Sequence, residues 1–170
     1  MKRIAYILLF SLLLISCGTR SGYFKMEGRF LHMNQGELYV YSPDGGIAGL
    51  DTIKIEAGRF SYEKPCSKPS TLIIIFPNYS TQPIFAESGE AVEVKADASH
   101  LKEMEVEGTE DNELMTKFRK QIASVSPPEE LKYAIAFIKD HPESAVSVYL
   151  LNRYLVQTES PDYKQAAKLL

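Results

Sequence analysis

The sequence predicts a mainly β N-terminal domain, an antiparallel sandwich or partly closed barrel, followed by an α-helical segment. Apolar residues recur with a period of two across residues 23–108 and with a helical period across 109–170. Short turn signals separate the strand-like runs. No crossover helix fits between them, which argues against a parallel αβ fold.

The first run, YFKMEGRF, sets Phe24, Met26, Gly28 and Phe30 on one face and Lys25, Glu27 and Arg29 on the other. Asn34-Gln35-Gly36 turns the chain into GELYVY. SPDGG, 42–46, is a stronger turn, because proline pre-sets φ and glycine tolerates positive φ. DTIKIEAGRFSYE reads as two strands around Ala57-Gly58, with Ile53, Ile55, Phe60 and Tyr62 inward. LIIIF, 72–76, lacks alternation and is expected centrally, covered on both faces. After PNYSTQP and IFAE, Val92 and Val94, then Met104 and Val106, mark the last two strands.

Beyond Gly108 the period changes. Leu114, Phe118, Ile122 and Val125 form a stripe with Met115 beside it, Thr109 is placed to cap, and Glu110 and Asp111 suit the positive helix end. Ser126-Pro127-Pro128-Glu129 predicts a stop and restart: a serine cap, proline at the first helical position and a glutamate to complete a capping box. Leu131, Ala134, Ile135 and Ile138 form the next apolar face, widened by Tyr133 and Phe137, until Asp140-His141-Pro142. Val146, Tyr149, Leu150, Leu151 and Leu155 define a third helical segment. Ser160-Pro161 begins a fourth, running through Tyr163, Ala166 and Ala167 to Leu170. That last periodicity is still running at Leu170 without a glycine cap, which is expected of a truncated product or a segment preceding another domain.

The N-terminus has a separate logic. Lys2 and Arg3 precede an apolar run from Ile4 to Ile15, too short to span the ~30 Å of hydrocarbon that takes ~20 residues. Its positive start and short core read as a secretory signal. Leu14-Ile15-Ser16-Cys17 resembles the bacterial lipoprotein signal; the bland alternative is an ordinary export signal with a chance cysteine. The resemblance implies cleavage after residue 16, a diacylglycerol thioether and fatty acyl chains such as palmitate on Cys17, and a durable membrane anchor. The expected organisation is therefore a signal peptide at 1–16, a lipidated cysteine and short tether at 17–22, a β domain at 23–108 and a helical segment at 109–170. GTRSG lacks an acidic cluster resembling a surface-export signal, so the outer membrane facing the periplasm is the expected location.

Removing residues 1–16 leaves a length suited to one domain with a helical extension. The formal charge of −3 becomes more negative without Lys2 and Arg3, which excludes an electrostatic case for nucleic acid or an anionic lipid surface. With Cys17 acylated, Cys66 stands alone in EKPCSKP and reads as a partly buried loop residue without a CxxC partner. Asp51, Glu56, Glu87, Glu90, Asp97 and Asp111 lie mostly beside turns or a helix start and are expected to be solvated or capping; Asp51 is read as an acceptor for turn amides. His32, His100 and His141 are scattered without a ligand pattern. SPDGG is not a phosphate loop, since no Lys-Ser/Thr follows it into a helix. No catalytic, cofactor or metal residues are expected.

Several of these elements in combination resemble the DUF4369 family. They are FKMEGRF, GELYVYS, Asp51-Thr52 with Gly58-Arg59-Phe60, Glu87-Ser88-Gly89-Glu90 leading into VEVKA, and Val106 through Asn112 as a GT..N junction before the helix. The resemblance covers about 24–125. It implies an N-terminal domain of the kind found in Bacteroidetes thioredoxin-like, AhpC/TSA-type periplasmic lipoproteins, with the later helices as the linker to a thioredoxin-like domain whose CxxC this chain lacks.

One surface stands out as a candidate. Tyr39 and Tyr41 share a face of GELYVYS opposite Leu38 and Val40. Cover by the sheet edge or the later helices is the favoured expectation, and an exposed peptide, glycan or protein contact is the alternative. The function expected is a lipid-anchored, non-catalytic envelope scaffold or protein-binding domain. The alternatives are an accessory portion of a periplasmic thioredoxin-like thiol–disulfide oxidoreductase, and a glycan- or peptide-binding module.

Overall fold

A computed structural model describes residues 19–169; residues 1–18, with the LISC stretch and Cys17, and Leu170 lie outside the described residues. Eight strands form one sheet: β1 (Tyr23–Leu31), β2 (Gln35–Tyr41), β3 (Leu50–Glu56), β4 (Arg59–Pro65), β5 (Ser70–Ile75), β6 (Thr81–Ala86), β7 (Ala91–Asp97) and β8 (Glu105–Glu107). Their spatial order is β6-β5-β2-β3-β4-β1-β7-β8. The sheet curls so that its inward residues share one core, among them Phe24, Met26, Leu38, Val40, Ile53, Ile74, Ile84, Val94 and Val106. Of the two architectures expected, the partly closed barrel is the one formed.

One departure from the antiparallel expectation matters. β1 pairs β4 antiparallel but β7 in parallel, with Lys25 opposite Ala91 and Leu31 opposite Asp97. The link between these parallel neighbours is not a helix but the whole run of strands β2–β6, in which β5 returns to pair with β2, and it satisfies the need for a long connection. The β3–β4 hairpin turns tightly through Ala57 and Gly58, both at positive φ, and then pairs only at Glu56 and Arg59. Beyond that pair the two strands splay. Gly28, inside the curl, is required by packing: a Cβ there would lie 2.6 Å from the Phe60 ring and 2.7 Å from the Val94 carbonyl.

Four helices follow: α1 (Glu110–Ile122), α2 (Pro127–Asp140), α3 (Ala145–Leu151) and α4 (Tyr163–Leu169). They carry a second core in which Met115, Phe118, Ala134, Ile138, Val146, Leu150 and Leu155 pack against Phe85 on the outer face of β6. Ser126 restarts the chain as expected: its amide and its hydroxyl both donate to the Glu129 carboxylate, at 3.2 and 2.8 Å. Tyr133 does not widen the buried face of α2; it is exposed. After α3 the chain continues as a π-helical turn, Asn152–Val156, closed by the Gln157 amide on the Asn152 carbonyl. The tether expected through Gly22 is held from Arg20 onward, since the Tyr23 amide donates to Arg20 and the Cys66 amide to Gly22.

Candidate functional site

A curled sheet that does not close leaves two strand edges, here β6 and β8, with unpaired amides and carbonyls. Helix α1 fills that gap, and it does so with polar side chains. Asn112 accepts from the Phe85 amide (3.0 Å) and donates to the Phe85 carbonyl (2.7 Å), mimicking a strand neighbour for β6. Thr116 does the same for β8: its hydroxyl accepts from the Val106 amide at 2.8 Å and lies 2.9 Å from the Val106 carbonyl. One turn on, Arg119 spans both edges, donating to Gln82 Oε1 and the Pro83 carbonyl of β6 and to the Met104 carbonyl before β8. All three side chains are buried.

Helical spacing of i, i+4 and i+7 puts them on one face, so a single rigid element serves both edges. Sequence reading missed this face because it followed the apolar stripe through Leu114 and Phe118. The available signal was the Asn112 of the GT..N junction. Thr109 sits at the cap position, yet its hydroxyl accepts from the Asn112 side chain (2.7 Å) rather than from a helix amide. The junction therefore positions Asn112 as well as starting the helix.

Arg119 also lines a cavity of about 110 Å³ between the sheet and the helical layer, with Phe118, Glu130, Tyr149, Arg153 and Tyr154 around it. Burial lowers the Arg119 pKa to about 10, an effect opposed by the neighbouring Tyr149. Burial likewise raises the Tyr154 hydroxyl to about 12, reinforced by Glu130, which accepts its proton at 3.0 Å.

Tyr39 and Tyr41 lie on the outer face of β2. The register sets Leu50, Tyr41 and Ile73 side by side across β3, β2 and β5. Their exposures fall from 62% at Leu50 to 37% at Tyr41 and 7% at Ile73. On this outer face Phe85 of β6, packed under the helices, and Ile73 of β5 are buried, while the β2 and β3 residues beside them are exposed. The favoured expectation of cover therefore does not hold for Tyr39, which is 42% exposed, and Tyr41 keeps 37% of its surface.

Other residues singled out from sequence fall into structural places. Asp51 is within β3, not a turn. It accepts from Lys64 Nζ (2.6 Å), the Tyr62 hydroxyl (3.3 Å) and the Thr52 amide (2.9 Å), tying the splayed strands β3 and β4 together. Lys64 holds the Asp51 carboxyl below its ordinary pKa, against a smaller opposing effect of burial. His32 and His100, far apart in sequence, meet at Asp97, at 2.9 and 3.9 Å. Hydrogen bonds from Ser99 and then His32 hold the Asp97 carboxyl well down. Among the described residues, no group of three or more His, Cys, Asp or Glu is placed to hold a metal. Cys66 is a loop residue, as expected, but it is buried against the barrel core, and that burial pushes its thiol pKa up. Its sulfur lies 3.3 Å from the Lys68 carbonyl.

A barrel left open at one seam and stopped there by a polar-faced helix defines a β domain with a docked helical layer. More particularly, the chain belongs to the DUF4369 family, a domain of unknown function, whose model matches residues 24–115. That match ends inside α1, so it takes in Asn112, the first of the seam residues. Among solved structures, a putative cell adhesion protein from Bacteroides ovatus is 13% identical, over 54% of this chain and 44% of that chain, with a TM-score of 0.31. No curated protein matches the chain. Among the described residues no helix is long and apolar enough to cross a membrane.

Proposed function

We propose that the chain is a lipid-anchored cell-envelope protein whose β domain is a non-catalytic scaffold, docking a protein partner on the β2–β3 face. The observation that carries this reading is the exposed row of Tyr39, Tyr41 and Leu50 beside the buried Ile73. Tyrosine suits such a contact because a large ring is buried at the cost of two torsions while its hydroxyl keeps a polar contact. Anchoring at Cys17 of the LISC stretch, on the periplasmic side of the outer membrane, would hold this face near envelope proteins.

A photo-crosslinking side chain at position 41 tests the docking surface, with position 79 as the control because Tyr79 is 88% exposed on a turn elsewhere. A discrete adduct from position 41 that disappears in Leu50→Glu is the expected result. Identical adducts from both positions, or adducts indifferent to Leu50→Glu, overturn the surface. The anchor is tested separately by intact mass and detergent partitioning, where Cys17→Ala should lose the acyl mass and leave the detergent phase.

A second reading makes the chain the accessory portion of a periplasmic thioredoxin-like thiol–disulfide oxidoreductase. Burial of Cys66 favours placing any thiol chemistry outside the described residues. Dithiol-dependent turnover by this chain that persists in Cys66→Ser would reject that division of labour.

A further inference from the structure

The Arg119 guanidinium is a permanent charge, 2% exposed, with no carboxylate as counter-ion among the described residues. Its hydrogen bonds go to one side-chain amide oxygen and two backbone carbonyls. Those bonds use three of the five N–H groups that a guanidinium carries, leaving one on each terminal nitrogen. A buried charge is costly unless it is paired as well as hydrogen-bonded, and arginine cannot escape by losing its proton.

The space beside it is built rather than accidental. The cavity of about 110 Å³ has Phe118 on its apolar side and a second guanidinium, Arg153, exposed at its rim. Arg153 belongs to the π-helical turn Asn152–Val156, as does Tyr154, and such turns re-aim side chains relative to a regular helix. Here the turn brings Arg153 to the same cavity as Arg119, its guanidinium meeting, among the described residues, only the neutral hydroxyls of Tyr149 and Tyr154 by hydrogen bonding. The one lining carboxylate, Glu130, is engaged by the Tyr154 hydroxyl and stands 4.0 Å from Lys102. Two guanidinium groups thus face a small cavity whose single acid already has partners.

We propose that this cavity is a binding site for an aliphatic carboxylate, the head held by Arg119 and Arg153 and a short stem lying against Phe118. The chemistry selects this class. A guanidinium fork matches the two oxygens of a carboxylate. The volume, room for roughly three or four waters at ~30 Å³ each, suits a carboxylate with a short stem. Both a free short-chain acid and the C-terminal carboxylate of a peptide present this group. The proposal is independent of docking on the β2–β3 face, which lies outside this cavity.

Thermal melting of the full chain with sodium propionate, against sodium chloride at matched ionic strength, tests it. Propionate should raise the melting temperature saturably and chloride should not. Arg153→Gln should weaken the propionate effect at least about tenfold, as loss of a charge-assisted pair does. Arg119→Lys should abolish it; should that variant not fold, Arg153→Gln alone decides, because Arg153 takes no part in the seam. A tripeptide with a free C-terminus that outcompetes propionate, while its amidated form does not, identifies the peptide as source; propionate binding without peptide binding identifies a free acid. An unchanged melting temperature in propionate, or an equal rise in Arg153→Gln, overturns the site and leaves Arg119 as a structural clamp over water.

Discussion

Helices α1 and α2 are nearly equal in length and share the same apolar core, yet they are held in place by different physics. α2 buries Ala134, Phe137 and Ile138, and its contribution comes from apolar area removed from water. α1 buries Met115 and Phe118 toward that core but turns Asn112, Thr116 and Arg119 toward the sheet. The difference teaches that α1 stands in for a missing strand. An open barrel seam needs donors and acceptors, and a helix whose own backbone is satisfied can supply them only from side chains.

The largest test of this contrast is Arg119→Met. It should cost on the order of 3–5 kcal/mol in urea unfolding, because Pro83, Met104 and Gln82 lose a partner at once in a buried setting. Ile138→Val in α2 should cost only about 0.5–1.5 kcal/mol, a methyl group and a small void. Equal costs would show that the seam is no more demanding than the apolar core.

Asn112→Leu and Thr116→Val sharpen the comparison at single edges. Asn112→Leu should cost roughly 2–3 kcal/mol and Thr116→Val about 1–2, since each strands buried backbone groups of one residue. Native-state hydrogen exchange separates them. Asn112→Leu should release the Phe85 amide and spare Val106, and Thr116→Val should do the reverse. Concerted release of both amides in either variant would mean that the two edges open together.

The smallest effect belongs to the other place where strands separate, β3 and β4, which are bridged by an exposed ion pair rather than a buried helix. Asp51→Asn should cost less than about 1 kcal/mol at neutral pH, because solvent screens the Lys64 pair. The sign with pH follows from the lowered Asp51 pKa. The stabilisation is complete above the ordinary aspartate value near 3.9 and is lost as pH falls through the lower folded value. The gap between wild type and Asp51→Asn should therefore close on acidification; a gap that widens would contradict the assignment.

Much of the molecule was legible in order of sequence. The alternation of Phe24, Met26 and Phe30, the Ala57-Gly58 turn and the Ser126–Glu129 restart are local patterns, set by side-chain period and backbone preference. The inward faces of β1 to β8 followed from them, and so did the place where the helices begin. Which strands became neighbours did not follow. The parallel β1–β7 pair joins residues more than sixty positions apart, and nothing local distinguishes parallel from antiparallel partners there. For the same reason His32 and His100 looked scattered until the curl brought both to Asp97.

The candidate sites divide along the same line. Sequence by itself put Tyr39 and Tyr41 on one outward face, because alternation along a strand is a property of the chain. Only the tertiary structure decided that they stay exposed while Ile73 and Phe85 on the same outer face are buried, since that depends on where the helices pack. It also decided that Asn112, Thr116 and Arg119 turn inward. A polar side chain is ordinarily read as solvent-facing, and these three are buried because an unclosed sheet presents backbone groups that only polar atoms can satisfy.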